Sequence, residues 1–198
     1  MNSRIALKIV RLNQRIAPGL GFVLLVSAAS FGAAAAENSK ETPAVMADDI
    51  PVAHTPEGYW KTMPPPILER CTEPIVEGAP DMRGLWKVVE STANGKPFPK
   101  MLGVVQRIEQ CGNRVVVTAG GVTHDMRCDG TFENGVNDLG EPSTGGRRIS
   151  VAASFENGVH VLRPKGMPIT VEREMVDGDL IWRYGPTIVT RSVRIDEP

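Results

Sequence analysis

Two arginines are the residues whose placement carries the most chemical information. Arg173 and Arg191 sit in alternating, β-prone runs near the C-terminal end of the chain. A guanidinium keeps its proton in a folded protein, so one that faces an apolar interior needs an anion, hydrogen-bond acceptors or an aromatic ring. Asp177-Gly178 is a two-residue hairpin signal. It pairs Met175 with Leu180, Arg173 with Trp182 and Val171 with Tyr184 on one face, and puts Glu172 opposite Arg183 on the other. The first face is mostly apolar and is expected to be the interior. A second two-residue turn at Gly185-Pro186 would carry that face on, with Trp182 opposite Val189 and Leu180 opposite Arg191. Arg173, Trp182, Tyr184 and Arg191 are therefore the candidate ligand-binding residues, with the arginines suited to an anionic head and the rings to an apolar body.

Other patterns with chemical potential lead less far. His54, His124 and His160 lie far apart without ligand spacing, and are expected to be surface or hydrogen-bonded histidines. His124 and Asp125 are neighbours in one strand and so point to opposite faces, which does not preassemble an acid–base pair. The oxygen-rich stretch from Asp129 to Asp138 has Gly135 and Gly140 where an EF-hand needs ligands, so it is expected to be turn and not a calcium loop. No nucleophile elbow, phosphate loop, paired-carboxylate signature or cofactor fingerprint is present. Neither a catalytic residue nor a metal ligand nor a cofactor is assigned. Cys71, Cys111 and Cys128 have no CxxC or zinc spacing. Tight turns at Gly112-Asn113 and Gly120-Gly121 bring Cys111 and Cys128 to the same end of neighbouring strands, which predicts a Cys111–Cys128 disulfide with Cys71 as the odd thiol.

Short strands must position these residues. Runs at 84–90, 103–110, 114–119, 122–127, 147–155, 159–162, 169–176, 180–184 and 187–195 are β-prone and separated by Gly- and Asn-rich turns. Nearly every connection is too short for a parallel crossover, so the sheet must be an antiparallel meander. About nine meandering strands avoid exposed edges by closing into an up-and-down barrel of about 8–10 strands, an all-β fold; a two-sheet sandwich is the rival. A three-residue loop at 156–158 would put Phe155 opposite Val159 and Ala153 opposite Val161, and small Ala152 and Ala153 leave room in that wall.

Three segments divide the chain. Residues 1–36 hold four basic residues and no acidic one, with an apolar run and a small-residue end, the pattern of a cleaved secretory signal peptide. An uncleaved anchor is the alternative. Residues 37–80 carry eight prolines and form an extended arm or linker, in which Tyr59-Trp60 would touch the domain or a protein partner. Residues 81–198 form the barrel domain. The net charge of −1 offers no basic excess for nucleic acid. Export implies a periplasmic or extracellular protein, soluble after cleavage, in a compartment that preserves disulfides.

Gly84-Leu85-Trp86 at the first strand resembles the Gly-x-Trp opening of lipocalins. Asp177-Gly-Asp-Leu-Ile-Trp182 followed by Thr190-Arg191-Ser-Val193 is similar to the last two strands of fatty-acid-binding proteins. Where that family has Arg-x-Tyr, this chain reads Arg191-Ser192-Val193, and no helix pair follows the first strand. The resemblance spans roughly residues 81–196. It implies a calycin-like barrel, structural roles for Gly84 and Trp86, and a last-strand arginine packed over Trp86. The expected function is an exported, non-catalytic protein holding a small amphiphilic, anionic molecule inside the barrel. The alternative is an envelope module with a side-chain-filled barrel whose proline-rich arm binds a protein partner.

Overall fold

The computed structural model describes residues 44–132, 135–138 and 149–196. The expected signal peptide lies outside them. Residues 42–198 form one compact unit. Its strands are β1 (Gly84–Ala93), β2 (Lys96–Pro97), β3 (Val105–Cys111), β4 (Arg114–Ala119), β5 (Val122–Arg127), β6 (Gly135–Asp138), β7 (Ile149–Glu156), β8 (Val159–Pro164), β9 (Val171–Val176), β10 (Asp179–Tyr184) and β11 (Ile188–Ile195). Every pairing is antiparallel, and neighbours in sequence are neighbours in space, except that the short β2 folds back on β1 beside β3. β11 also pairs with β1, so ten strands close into the up-and-down barrel expected from the turn spacing. Sequence patterning missed the two-residue β2 and also β6, which fills part of the long gap between β5 and β7.

Alternation sorts side chains to the two faces. Trp86, Ile108, Val115, Val117, Met126, Val151, Ala153, Leu162, Val171 and Leu180 form the buried interior. The opposite face of β3–β5 would normally meet water, yet Val116, Arg114, Thr118, Thr123 and Asp125 are buried too. Residues 44–80 cover them. This strap seats Ala47, Ile50 and Leu68 against Val116 and Cys111 as a second apolar cluster. Trp60 donates its indole N–H to Thr123 Oγ1 at 2.8 Å and its backbone N–H to the Gly121 carbonyl at 2.8 Å. The Tyr59-Trp60 pair thus touches the barrel itself.

The strap's course is set by Arg114, buried on the outer face of β4. Its Nε and Nη2 donate to the two carboxylate oxygens of Asp125 on β5, at 2.8 and 2.6 Å. Nη1 donates to the carbonyls of Ala47 and Ile50, both at 2.7 Å, and Nη2 to that of Pro51 at 2.8 Å. All five guanidinium donors are used. Asp125 also accepts the Ala53 N–H at 2.7 Å. A buried ion pair is tolerable only when its remaining hydrogen-bonding capacity is met in this way.

The disulfide differs from expectation. Cys111 bonds to Cys71 of the strap, and Cys128 is a free thiol. Both tight turns form as expected, with Cys111 opposite Arg114 and Ala119 opposite Val122. Parity excludes the expected bond: Cys111 shares the outer face with Arg114 and Arg127, whereas Cys128 is one residue beyond Arg127 and packs against the interior cluster.

Two tests follow. Non-reducing peptide mapping should recover Cys71 linked to Cys111 and an alkylatable Cys128 after denaturation; removing the bond by Cys71→Ser is expected to lower stability by about 2–4 kcal/mol. Asp125→Ala leaves Arg114 charged and buried without its counterion, and chemical denaturation should register a loss of about 3–5 kcal/mol.

Candidate functional site

The register of the β9–β10 hairpin is as the Asp177-Gly178 turn requires: Met175 faces Leu180, Arg173 faces Trp182 and Val171 faces Tyr184. Arg173 points into the barrel and is 6% exposed. Its Nε and Nη1 are buried without a hydrogen-bond partner. Burial pushes its pKa down to about 10, which still leaves it cationic at neutral pH.

Arg173 and Trp182 line a cavity of about 340 Å³ in the barrel. Val88, Val117 and Val122 give it apolar walls, while Gln106 and Thr190 add polar atoms. It reaches the rim at Met101 and Gly120, between the β1–β3 connection and the β4–β5 turn. Tyr184 packs beside Trp182, with ring centroids 5.9 Å apart, and joins the core. The arrangement sets a buried cationic group on the wall of an otherwise largely apolar cavity.

Arg191 is not part of it. The turn after β10 holds three residues, 185–187, so Tyr184 pairs with Ile188, Trp182 with Thr190 and Leu180 with Ser192. The Thr187 hydroxyl donates to the Tyr184 carbonyl at 3.1 Å, which closes the longer turn. One extra turn residue reverses every side chain of β11. Arg191 therefore faces outward opposite Ile181 and bonds to Glu90 at 2.5 Å and Asp179 at 2.6 Å. Those carboxylates, Glu90 foremost, hold its pKa above the usual guanidinium value.

The arginine over Trp86 exists, but it is Arg194. Its guanidinium carbon lies 4.6 Å from the Trp86 ring centroid, and Nη1 donates to the Arg83 carbonyl. Trp86 is fully buried and gives its indole N–H to the Met82 carbonyl at 2.8 Å. Gly84 is needed here on two counts: its φ is +130°, and a Cβ would lie 2.6 Å from Arg194 Nη1.

His160 was missed by sequence reasoning as an interior group. Asn157 and Gly158 form a two-residue turn with φ of 51° and 80°, so Glu156 pairs with Val159 and Phe155 with His160. His160 is 0% exposed, opposite Arg173 on β9, and neither ring nitrogen has a partner. Taking Asn157-Gly158 at its ordinary value as a hairpin turn would have placed it. Burial, and then the Arg173 charge, hold its pKa well below the imidazole range. Cys128 adjoins the same interior; burial, with a smaller effect of Asp129, pushes its thiol up to about 12, so it stays protonated. At the start of the oxygen-rich stretch, Asp129 accepts bonds from the Thr131 N–H and hydroxyl, as a turn residue does.

No protein-family model matches the chain. Among solved structures it is similar to human cellular retinol-binding protein IV, with a TM-score of 0.46 and 15% identity over 58% of this chain and 98% of that one. Zebrafish ileal bile-acid-binding protein, solved with cholic acid, gives 0.44 and 17% over 57% and 98%. Lipid binding protein 8 of Caenorhabditis elegans gives 0.41 and 13% over 61% and 99%.

A histidine with a depressed folded pKa is protonated first in the unfolded chain. Its stabilising share is present above the unfolded value near 6.5 and is lost as pH falls below it, by up to about 1.4 kcal/mol per pH unit. Between about pH 7 and 5, wild type should therefore lose more melting temperature than His160→Phe; parallel losses would show that His160 is not the group responsible.

Proposed function

We propose that this chain is an exported, non-catalytic carrier that holds a small anionic amphiphile in the barrel, with the acid against Arg173 and the apolar portion along Val88, Val117, Val122 and Trp182. The observation that carries the proposal is the unpartnered, buried guanidinium on the wall of an apolar cavity. A cation taken out of water without a partner is costly, and a ligand carboxylate offsets that cost with two charge-assisted hydrogen bonds. Trp182, directly opposite Arg173, offers a face along which a chain or ring can lie. The location rests on the N-terminal pattern and is supported by the Cys71–Cys111 bond, which an oxidising compartment preserves. Barrel residues provide the binding chemistry, and the strap stays engaged with the outer wall.

Thermal melts with and without palmitic acid test the reading. Wild type should gain several degrees at saturating ligand, since a ligand that binds only the folded state stabilises it. Arg173→Met removes an unpaired buried charge for an apolar group of similar length, so its own melting point should hold or rise while the shift with palmitate falls. An equal palmitate shift in both proteins would rule out Arg173 as the anchor.

A further inference from the structure

The belt around Arg173 carries more hydrogen-bonding capacity than one anionic head can use. At a single level of the interior, His160 faces Arg173, Arg173 faces Trp182, Trp182 faces Thr190 and Thr190 faces Ser91. Ser192 follows one inward step along β11, between Leu180 and Val88. Ser91 and Ser192 are 9% and 0% exposed, and neither hydroxyl has a hydrogen-bond partner. Thr190 and Val88, which adjoin them, line the cavity. An unpartnered buried hydroxyl is unfavourable and calls for an explanation. Two on one stretch of the inward face, beside the cavity-lining Thr190 and Val88, mark a second polar patch next to the cavity that Arg173 lines.

The distance between the patches follows from the strand order. Arg173 is on β9 and Thr190 on β11, two strand spacings apart, or about 10 Å along the wall. We propose that the ligand is an anionic amphiphile with a second oxygen-bearing group, a hydroxyl or carbonyl, about 10 Å from its acid, and that this group binds at Ser91, Thr190 and Ser192 while the acid binds at Arg173. The proposal rests on the anionic-head reading of Arg173. Trp182 lies between the two patches and would stack on the apolar stretch that joins them. A simple saturated acid would leave the serine patch unsatisfied; a hydroxyl at mid-chain would complete it.

Calorimetric titration of the full chain with stearic acid and with a hydroxystearic acid bearing its hydroxyl at mid-chain tests this. Wild type should bind the hydroxy acid roughly tenfold more tightly, the effect of one hydrogen bond to a buried partner. In a Ser91→Ala/Ser192→Ala double variant that ratio should fall to about one, whereas Arg173→Met should weaken both acids together. Equal affinity of wild type for the two acids overturns this proposal alone, and that comparison needs no variant to fold. A preference that survives in the double variant also overturns it. Binding of neither acid overturns the anionic-head reading along with it.

Discussion

Arg114 and Asp125 are two opposite charges held out of water on the outer face of a barrel wall, and the surroundings of that wall follow from meeting their needs. Asp125 takes two of the five guanidinium donors, and three strap carbonyls between Ala47 and Pro51 take the others. Those carbonyls are directional partners, so sliding the strap by one residue would leave a buried charge short of acceptors. With the strap seated, β3–β5 are covered on both sides, which is why Val115, Val116 and Val117 are all buried in succession. Glu109 contributes in the same manner, taking the Leu68 N–H at 2.6 Å.

Across the same barrel, Arg173 shows the opposite condition. The two buried guanidinium groups contrast: Arg114 has every donor engaged, whereas Arg173 has Nε and Nη1 unengaged and a cavity beside it. A charge that serves the fold has its hydrogen-bonding capacity met within it, whereas buried donors left over call for a separate explanation. His160, opposite Arg173, adds two buried ring nitrogens without a hydrogen-bond partner to the same stretch of the interior.

Much of this was legible in the sequence, and the limits have a physical origin. Short loops dictated the antiparallel meander, and Asp177-Gly178 placed Arg173, Trp182 and Tyr184 on one face. What failed was parity at single residues. The turn at 185–187 is one residue longer than supposed, which sent Arg191 outward and gave its expected place over Trp86 to Arg194. The turn at 157–158 is one residue shorter, which brought His160 inward. Cys128 lies one step past the outer face that Cys111 occupies. Because strand side chains alternate with period two, a miscount of one is as consequential as it can be. The Arg114 hub was invisible for another reason: its acceptors are backbone carbonyls more than 60 residues away, and carbonyls carry no sequence signal.

The distance in sequence between the strap and its seat also orders assembly. The Ala47, Ile50 and Pro51 carbonyls precede Arg114 by 67, 64 and 63 positions, and Asp125 lies 72 beyond the Ala53 N–H it accepts. The strap leaves the ribosome before any surface it binds exists, and contacts this distant are slow to form because the intervening loop must close first. β4 and β5 must pair before Arg114 and Asp125 stand side by side to receive it. The strap, though made before the strands it covers, is thus among the last segments to be seated, and until then Cys71 and Cys111 remain separate thiols and the outer faces of β3–β5 an uncovered sticky surface.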